Sequence, residues 1–560
     1  MQHFSHRILK WERVGQDYFY PVAFALIGLI YFFNLFIDIM DVDAAQYASI
    51  SWEMLQKKSF LEVYHQNKDY LDKPPLLFWL SSLSFSILGV SNFAYKLPSI
   101  LVLVLGIYST YRFTMLHYDM RKAKLAALIF ASSQALLLIS NDVRTDCSLV
   151  GLVIFAVWQL SEYIHGKSYV NLFLASLGIG GAMLAKGPIG FVLPFLGIGP
   201  AMFLAKNWKA IFRPQWLLLV LVVGLIILPM CIGLYHQFDL HPQKSAYGIQ
   251  SPSGLKFYFW TQSFGRITGD SAWKDDSNPL FFIQSILWDF QPWTIIFFIA
   301  LFYVLFKPSF RAPEKISVIS FLLGFFAFSL SQYKLPHYIF PLLPFAAVIT
   351  AHFLVEASEN WEWFRSLYRF QVFLTSLFFV IILISYFLFF PPANWLIIGF
   401  FIITLGLYLY VVLMSKQSHL RKLVMVTIVS FIMFGMHTST YFYPNLLTYQ
   451  CGKKVGQFFR NQNVPVDMSY YYGVHMHSME YYGQRIMKDL QKNEIQSLPA
   501  GAFVFTDEKG MAEIRKILPD AVIVQSFDHY KVTRLNLKFL SKSTRSDVLQ
   551  KHFVVRVHSK

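Results

Sequence analysis

Charge is what this sequence has least of. Only 14% of its 560 residues are Asp, Glu, Lys or Arg, against about 25% in soluble domains. With 55% hydrophobic residues, that excludes an ordinary soluble chain and indicates a membrane protein. Cysteine is scarce as well. Cys147, Cys231 and Cys451 stand far apart, so no C-x-x-C pair, zinc motif or disulfide framework can be read. No G-x-x-x-x-G-K-[ST] stretch and no strand-led G-x-G-x-x-G occurs, which removes the soluble nucleotide-binding signatures. Internal repeats, heptad arrays and low-complexity tracts are also missing.

What is present is a series of apolar stretches. Crossing about 30 Å of hydrocarbon takes around 20 residues. Such stretches fall near 19–40, 97–116, 125–140, 147–163, 172–185, 189–205, 216–235, 282–306, 316–330, 338–355, 370–390, 395–414 and 423–443, about 13 spans in all. The 57 Phe and 31 Tyr suit lipid-facing helices with aromatic belts. The first span follows a polar, basic start without a small-residue cleavage site, so it is expected to be a retained helix rather than a removed signal. The net charge is +16. It comes from short basic loops, Arg7–Arg13, Arg121–Lys124, Lys206–Arg213, Lys307–Lys315, Arg365–Arg369 and Lys416–Lys422, all on one side. The positive-inside rule accounts for them without nucleic acid and makes that side the cytoplasm.

The opposite, outer side then carries two long loops, 41–96 and 236–278. In the first, Ile50, Met54 and Leu55 share one helical face and Glu53 and Lys57 another, which predicts a helix lying on the membrane surface. After Tyr443 the composition turns soluble. Residues 502–506 and 521–525 read as strands and 508–518 as a helix between them. The expected organisation is a membrane domain over 1–443 and a small outer α/β domain over 444–560.

Ionisable residues gather at the outer ends of the spans, where water reaches. An Asp at mid-bilayer costs about 2.5–3.5 kcal/mol. Asp43 suits a general base or an electrostatic partner; equally, Asp43 with Gln46 spells a capping box that would only start a helix. Asp41 stands beside it as a second candidate carboxylate. Asp72 and Lys73 precede Pro74 and Pro75, which display them rigidly, and a lysine point charge suits phosphate. The alternative there is a turn whose lysine meets lipid headgroups. Asp142, Arg144 and Asp146 sit in a short outer loop and read as ordinary helix-end solvation. Lys186 and Lys334 are cations on the side that the inside bias disfavours, either functional or snorkelling. Arg266 has the fork that grips a phosphate. Hard carboxylate oxygens suit a divalent cation, with Asp41, Asp43, Asp72 and Asp146 as candidate ligands; no other cofactor is implied.

Four motifs, Asp43-Ala-Ala-Gln-Tyr-Ala48, Tyr70-Leu-Asp-Lys-Pro-Pro75, Lys186-Gly-Pro188 and Lys334-Leu-Pro-His-Tyr338, resemble in order and spacing those of the GT-C membrane glycosyltransferases. The nearest likeness is to the aminoarabinose–lipid A transferase and protein O-mannosyltransferase branch, over about residues 1–443. The resemblance implies an all-α polytopic enzyme that moves a sugar, with inversion, from a polyprenyl-phosphate donor at the outer face of a bacterial inner membrane. The acceptor it implies is lipid A-like, another envelope molecule, or a protein. By position it makes Asp43 the catalytic acidic residue, Asp72 and Lys73 the counterpart of a Glu-Lys pair with Lys73 on the donor phosphate, and Asp146 the acidic residue of the second outer loop. Arg266, Lys334 and Tyr338 resemble residues near the lipid phosphate. Two departures stand out: Asp72 replaces Glu, and Ser263 falls where the aminoarabinose transferases carry a His, which counts against a metal site using that His and against aminoarabinose as the sugar. A transporter or flippase of lipid-linked sugars is the rival reading, but such folds tend to show repeats and mid-membrane polar groups.

Overall fold

In hydrocarbon the backbone N–H and C=O groups of a single stretch can pair only with each other, so long apolar runs become helices. The computed structural model describes residues 18–263, 265–268, 278, 280–360, 362–392 and 395–557. The basic start, Met1–Gln16, lies outside them. The first helices are α1 (Phe19–Asn34), α2 (Asp43–Lys57), α3 (Leu76–Leu88), α4 (Asn92–His117), α5 (Met120–Ala131) and α6 (Gln134–Asn141). A small hairpin, β1 (Tyr64–His65) and β2 (Lys68–Asp69), separates α2 from α3. There follow α7 (Thr145–Gly166), α8 (Tyr169–Lys186), α9 (Ile189–Leu204), α10 (Gln215–Leu234), α11 (Phe281–Asp289), α12 (Thr294–Phe306), α13 (Ile316–Ser329), α14 (Leu343–Asn360), α15 (Phe364–Ile384), α16 (Trp395–Leu413) and α17 (His419–His437).

Among the described residues, 8 helices are long and apolar enough to cross a membrane, or 10 if each of two bent pairs counts as one span. Three of the expected spans are shorter apolar helices: α1 and α9 with 16 residues and α13 with 14. The stretch expected at 282–306 is not one rod, because α11 and α12 meet at 118°. The stretch at 125–140 bends by 49° between α5 and α6. Apolar periodicity reports burial, not straightness, so neither break could be read from composition.

Two helices lie in the first outer loop. Helix α2 is present, and Ala44, Ala45, Tyr47, Ala48, Ile50, Trp52, Glu53 and Met54 are all buried, so other parts of the chain cover it. Its Ala and Ser residues let neighbours close on every side; Ser82 of α3, for example, donates to Ser51 O at 2.6 Å. Helix α3 itself, with 13 residues, is about 20 Å long and too short to cross.

Small residues let helices α4 and α7 meet backbone to backbone. A Cβ on Gly106 of α4 would lie 2.8 Å from Gly151 Cα of α7, and one on Gly151 would lie 2.2 Å from Val102 O. Backbones approach this closely in membranes where no side chain intervenes. Lys96, fully buried in α4, donates to Asn34 O at 3.0 Å and Ile37 O at 2.8 Å. It thereby satisfies carbonyls that the end of α1 leaves open.

Beyond α17 come α18 (Gly452–Asn461), β5 (Ser469–Tyr472), α19 (His477–Gly483), β6 (Lys488–Asp489), β7 (Phe503–Asp507), α20 (Glu508–Ile517), β8 (Val522–His529) and β9 (Gln550–Arg556). The strands form one sheet in the order β6-β5-β7-β9-β8, parallel around β5 and antiparallel around β9. Asp507 starts α20 by accepting from Gly510 N at 2.8 Å. This region is stitched to the segment between α1 and α2. Lys453 Nζ donates to both Asp38 oxygens at 2.7 and 2.8 Å, and Gln450 Nε2 donates to Ile39 O at 3.0 Å.

Candidate functional site

Five chain segments meet at one end of the helix bundle: the start of α2, the Asp72–Pro75 loop before α3, the α6–α7 turn, the end of α8, and the 3-10 turn Pro336–Leu342 that leads into α14. Asp43 is the first residue of α2. The N-cap position is Val42 and has no side-chain cap bond, so the capping-box reading of Asp43 fails. Its carboxylate instead takes a charged partner. Arg144 Nη1 donates to Asp43 Oδ2 at 2.6 Å, and the same guanidinium reaches Asp142 Oδ2 at 2.7–2.8 Å. One planar fork between two carboxylates fixes all three groups. Burial opposes the Arg144 charge, but Asp142 and Asp43 outweigh it and hold the guanidinium protonated.

Asp146, one turn further on, is buried and bonded to Lys186 Nζ. It also lies 3.6 Å from His337 Nε2. Lys186 in turn sits over the Tyr338 ring, 4.2 Å from its centroid. Gly187 explains how this lysine is placed. Its φ of +86° ends α8, and a Cβ there would lie 3.3 Å from Ser263 Oγ. Ser263 therefore stands beside the Lys186 turn.

The Asp72–Lys73 pair closes the group. Lys73 Nζ donates to Asp72 Oδ2 at 2.8 Å, and Gln262 Nε2 to Asp72 Oδ1 at 3.2 Å. Lys73 lines a small recess of about 20 Å³ with Tyr70, Pro74, Tyr258 and Gln262. Tyr47 of α2 links the parts electrostatically. Burial, then the carboxylates of Asp43 and Asp72, push its phenol well above the usual range. His337 is within electrostatic reach of Asp146, Lys186, Arg144 and Lys73 together. Carboxylates and cations from loops hundreds of residues apart thus share one polar end of an apolar bundle.

Of the residues singled out in the sequence, Asp43, Asp72, Lys73, Asp146, Lys186 and Tyr338 come together here. Lys334, 7% exposed, lies two residues before the 3-10 turn that carries His337. Arg266 lies in a short helix, Gly265–Thr268, but its side chain is outside the described residues. Asp41 does not join. Its carboxylate accepts from Ser478 N at 2.9 Å and Ser478 Oγ at 2.5 Å, at the start of α19. Burial pushes its carboxyl up to about 6 against these donors. The two aspartates share a sequence motif but serve different contacts. Nor do Asp43, Asp72 and Asp146 form a metal cage: among the described residues, the trios with donor atoms close enough to share an ion lie elsewhere. Each carboxylate is taken by a cation of the chain itself.

The structure adds Arg144, which the sequence presents as ordinary helix-end solvation, and His337, which sequence reading did not single out. The signal for Arg144 was a lone cation flanked by two aspartates in an otherwise apolar turn. For His337 it was a place inside the Lys334–Tyr338 motif.

The chain has relatives among known proteins. A family model described as dolichyl-phosphate-mannose-protein mannosyltransferase matches residues 72–232. An undecaprenyl phosphate-alpha-4-amino-4-deoxy-L-arabinose arabinosyl transferase of Pseudomonas fluorescens is 25% identical over 56% of this chain and 55% of its own length. One from Pseudomonas aeruginosa is 26% identical over 60% of this chain and 59% of its own. The matches thus span little more than half the length of those relatives. In structure, ArnT from Cupriavidus metallidurans bound to undecaprenyl phosphate superposes with a TM-score of 0.72 at 16% identity, covering 95% of this chain and 97% of that one. The fold is thus of the ArnT type. In sequence, the chain is similar to the aminoarabinose transferase and protein mannosyltransferase branch.

Proposed function

We propose that this chain transfers a sugar from a polyprenyl-phosphate donor to a lipid A-like or other envelope acceptor at the outer face of a bacterial inner membrane. The observation that carries this reading is the convergence of Asp43–Arg144, Asp72–Lys73 and Asp146–Lys186–His337 at one end of the helix bundle. A neutral structural subunit has no use for so many ionisable groups at a lipid boundary. A sugar phosphate does, because its leaving group gains charge as the bond to sugar carbon 1 breaks.

In the reaction, an acceptor oxygen attacks carbon 1 from the face opposite the phosphate. The bond electrons leave with the phosphate, and the product is an inverted glycoside plus polyprenyl phosphate. Lys73, with Lys334 and Arg266 as further cations, would neutralise the departing phosphate. Positioned charge of this kind contributes about 3–4 kcal/mol per group in other enzymes. Arg144 engages Oδ2 of Asp43 and leaves Oδ1 to meet the acceptor. A hydroxyl acceptor would give Asp43 its proton. A phosphate acceptor has none to give, and Asp43 with Arg144 would then orient it. Ser263, in place of the family's His beside this site, leaves the sugar open between pentose and hexose.

The test uses the purified protein in vesicles with a labelled polyprenyl-phosphate sugar and lipid A. Transfer of label is expected. Asp43→Asn should lower the rate by at least about 100-fold at unchanged expression. Full activity in that variant removes Asp43 from the mechanism, and label that crosses the bilayer without joining an acceptor makes the chain a flippase.

A further inference from the structure

A second group of chemically capable side chains lies away from the polar end, where the β1–β2 hairpin meets α19. His65, His477 and Glu480 bring their donor atoms within 4.8 Å of one another. His65 Nε2 is 3.8 Å from Glu480 Oε2. These two atoms and His477 Nδ1 are buried without a hydrogen-bond partner among the described residues. Buried polar atoms are nearly always paired, so three orphans aimed at one point call for an explanation. Coulombic pairing alone does not supply it. Burial holds His65, at about 4, and His477, at about 2, in the neutral form, which is the form that binds metal.

The surrounding chain is built to hold these groups still. The hairpin turns through Gln66 and Asn67, both left-handed at φ 56° and 60°, the pattern of a two-residue turn of the primed type. Glu53 of α2 fixes that turn by accepting from Gln66 N at 2.7 Å and Asn67 N at 3.0 Å. Gln66 Nε2 donates to Glu480 Oε1 at 2.9 Å, which orients the carboxylate. His477 and Glu480 are three residues apart on α19 and so share a face. Asp41 anchors the start of α19 through Ser478.

We propose that His65, His477 and Glu480 bind one zinc-class divalent ion that ties the first outer loop to the C-terminal sheet region. Two imidazoles and one carboxylate suit zinc rather than magnesium or calcium. Tetrahedral zinc needs its ligand atoms about 3.4 Å apart, a small contraction from the present spacing. The fourth position falls to water or to His475, whose Nε2 is 3.2 Å from Glu480 Oε1. The ion shares no ligand with the Asp43–Arg144 group. The two are joined mechanically, since α2 begins at Asp43 and reaches the hairpin at Glu53, about 15 Å along one rigid helix. The proposal does not depend on the activity argued above.

A nearby trio, Cys451, His529 and His552, also has clustered donor atoms. It differs in already being paired: Cys451 Sγ lies 3.4 Å from His552 Nδ1 and 3.7 Å from Met476 Sδ. It therefore serves as the internal competitor in the test. The full-length protein, without a polyhistidine tag, is stripped with chelator and reloaded with Zn²⁺ or Co²⁺. About one tightly held ion per chain is expected by elemental analysis. The Co²⁺ form should show tetrahedral visible bands without thiolate-to-metal charge transfer. Affinity should fall at least about tenfold in His477→Gln and His65→Gln and stay unchanged in Cys451→Ser. The Co²⁺ spectrum of the unmodified protein decides the matter even if a variant misfolds. Failure to hold an ion after loading, a thiolate band, or loss of the ion only in Cys451→Ser overturns the assignment.

Discussion

Asp41 and Asp43 are separated by one residue and show how little a short motif fixes. Asp41 lies in the turn before α2, whereas Asp43 is the first residue of the helix. Asp43 turns toward Arg144 in the α6–α7 turn, whereas Asp41 turns toward Ser478 on α19. Their substitutions should therefore separate. Asp41→Ala removes two hydrogen bonds to a buried carboxylate and should cost about 2–3 kcal/mol of stability, read as a lower melting temperature, while Asp41→Asn keeps sugar transfer within severalfold. Asp43→Asn should show the opposite pattern, with melting near that of the parent. Arg144→Ala leaves two carboxylates without their cation and should abolish transfer. Arg144→Lys keeps the charge but not the fork, so it should recover only part of the rate. Melting curves and steady-state rates of the five variants check all of this.

Among elements, close approach matters more than propensity. Helices α4 and α7 touch backbone to backbone at Gly106 and Gly151. Gly151→Val should force them apart and cost about 3 kcal/mol or more. Gly224→Val in α10, where no atom lies within 4 Å of the added Cβ, is the control and should melt like the parent. Thermal melting in one detergent compares them directly. Helix α2 illustrates the same rule from the other side. Its alternation of Ile50 and Met54 with Glu53 and Lys57 reads as a surface helix, yet Glu53 is 2% exposed. Glu53 is buried because backbone donors of the hairpin turn and Lys57 Nζ, at 2.8 Å, take its charge. No local pattern announces that.

At the level of the whole molecule, the positive-inside rule expects residues 43, 72–75, 142–146 and 186–188 on the outer side and the basic turns on the other. Membrane sidedness then becomes a labelling experiment. In a Cys231→Ser background, Lys58→Cys and Val466→Cys should react with a membrane-impermeant maleimide in intact cells. Lys209→Cys should react only after permeabilisation. Labelling of all three from outside, or of Lys209→Cys alone, would reverse the orientation. The helical spans and their order were readable because hydrocarbon penalises an unpaired backbone so heavily that apolar length nearly dictates helix. The strand–helix–strand run of β7, α20 and β8 was readable in the soluble stretch after Tyr443, whereas the Asp507 cap of α20 emerged only in the structure. The bends at α5–α6 and α11–α12 were not readable, since they depend on what each half packs against.

Alone, the order of residues determined the apolar helices, the gathering of ionisable groups at their outer ends and the pairing of Asp72 with Lys73, because these follow from transfer energies and from neighbours in the chain. Tertiary structure alone decided that Asp43 meets Arg144, that Asp146 meets Lys186 and His337, and that Asp41 leaves the site for α19. Those contacts join segments 40 to more than 400 residues apart. Which carboxylate meets which cation across such distances is set by how the helices pack, and packing is a property of the whole chain at once.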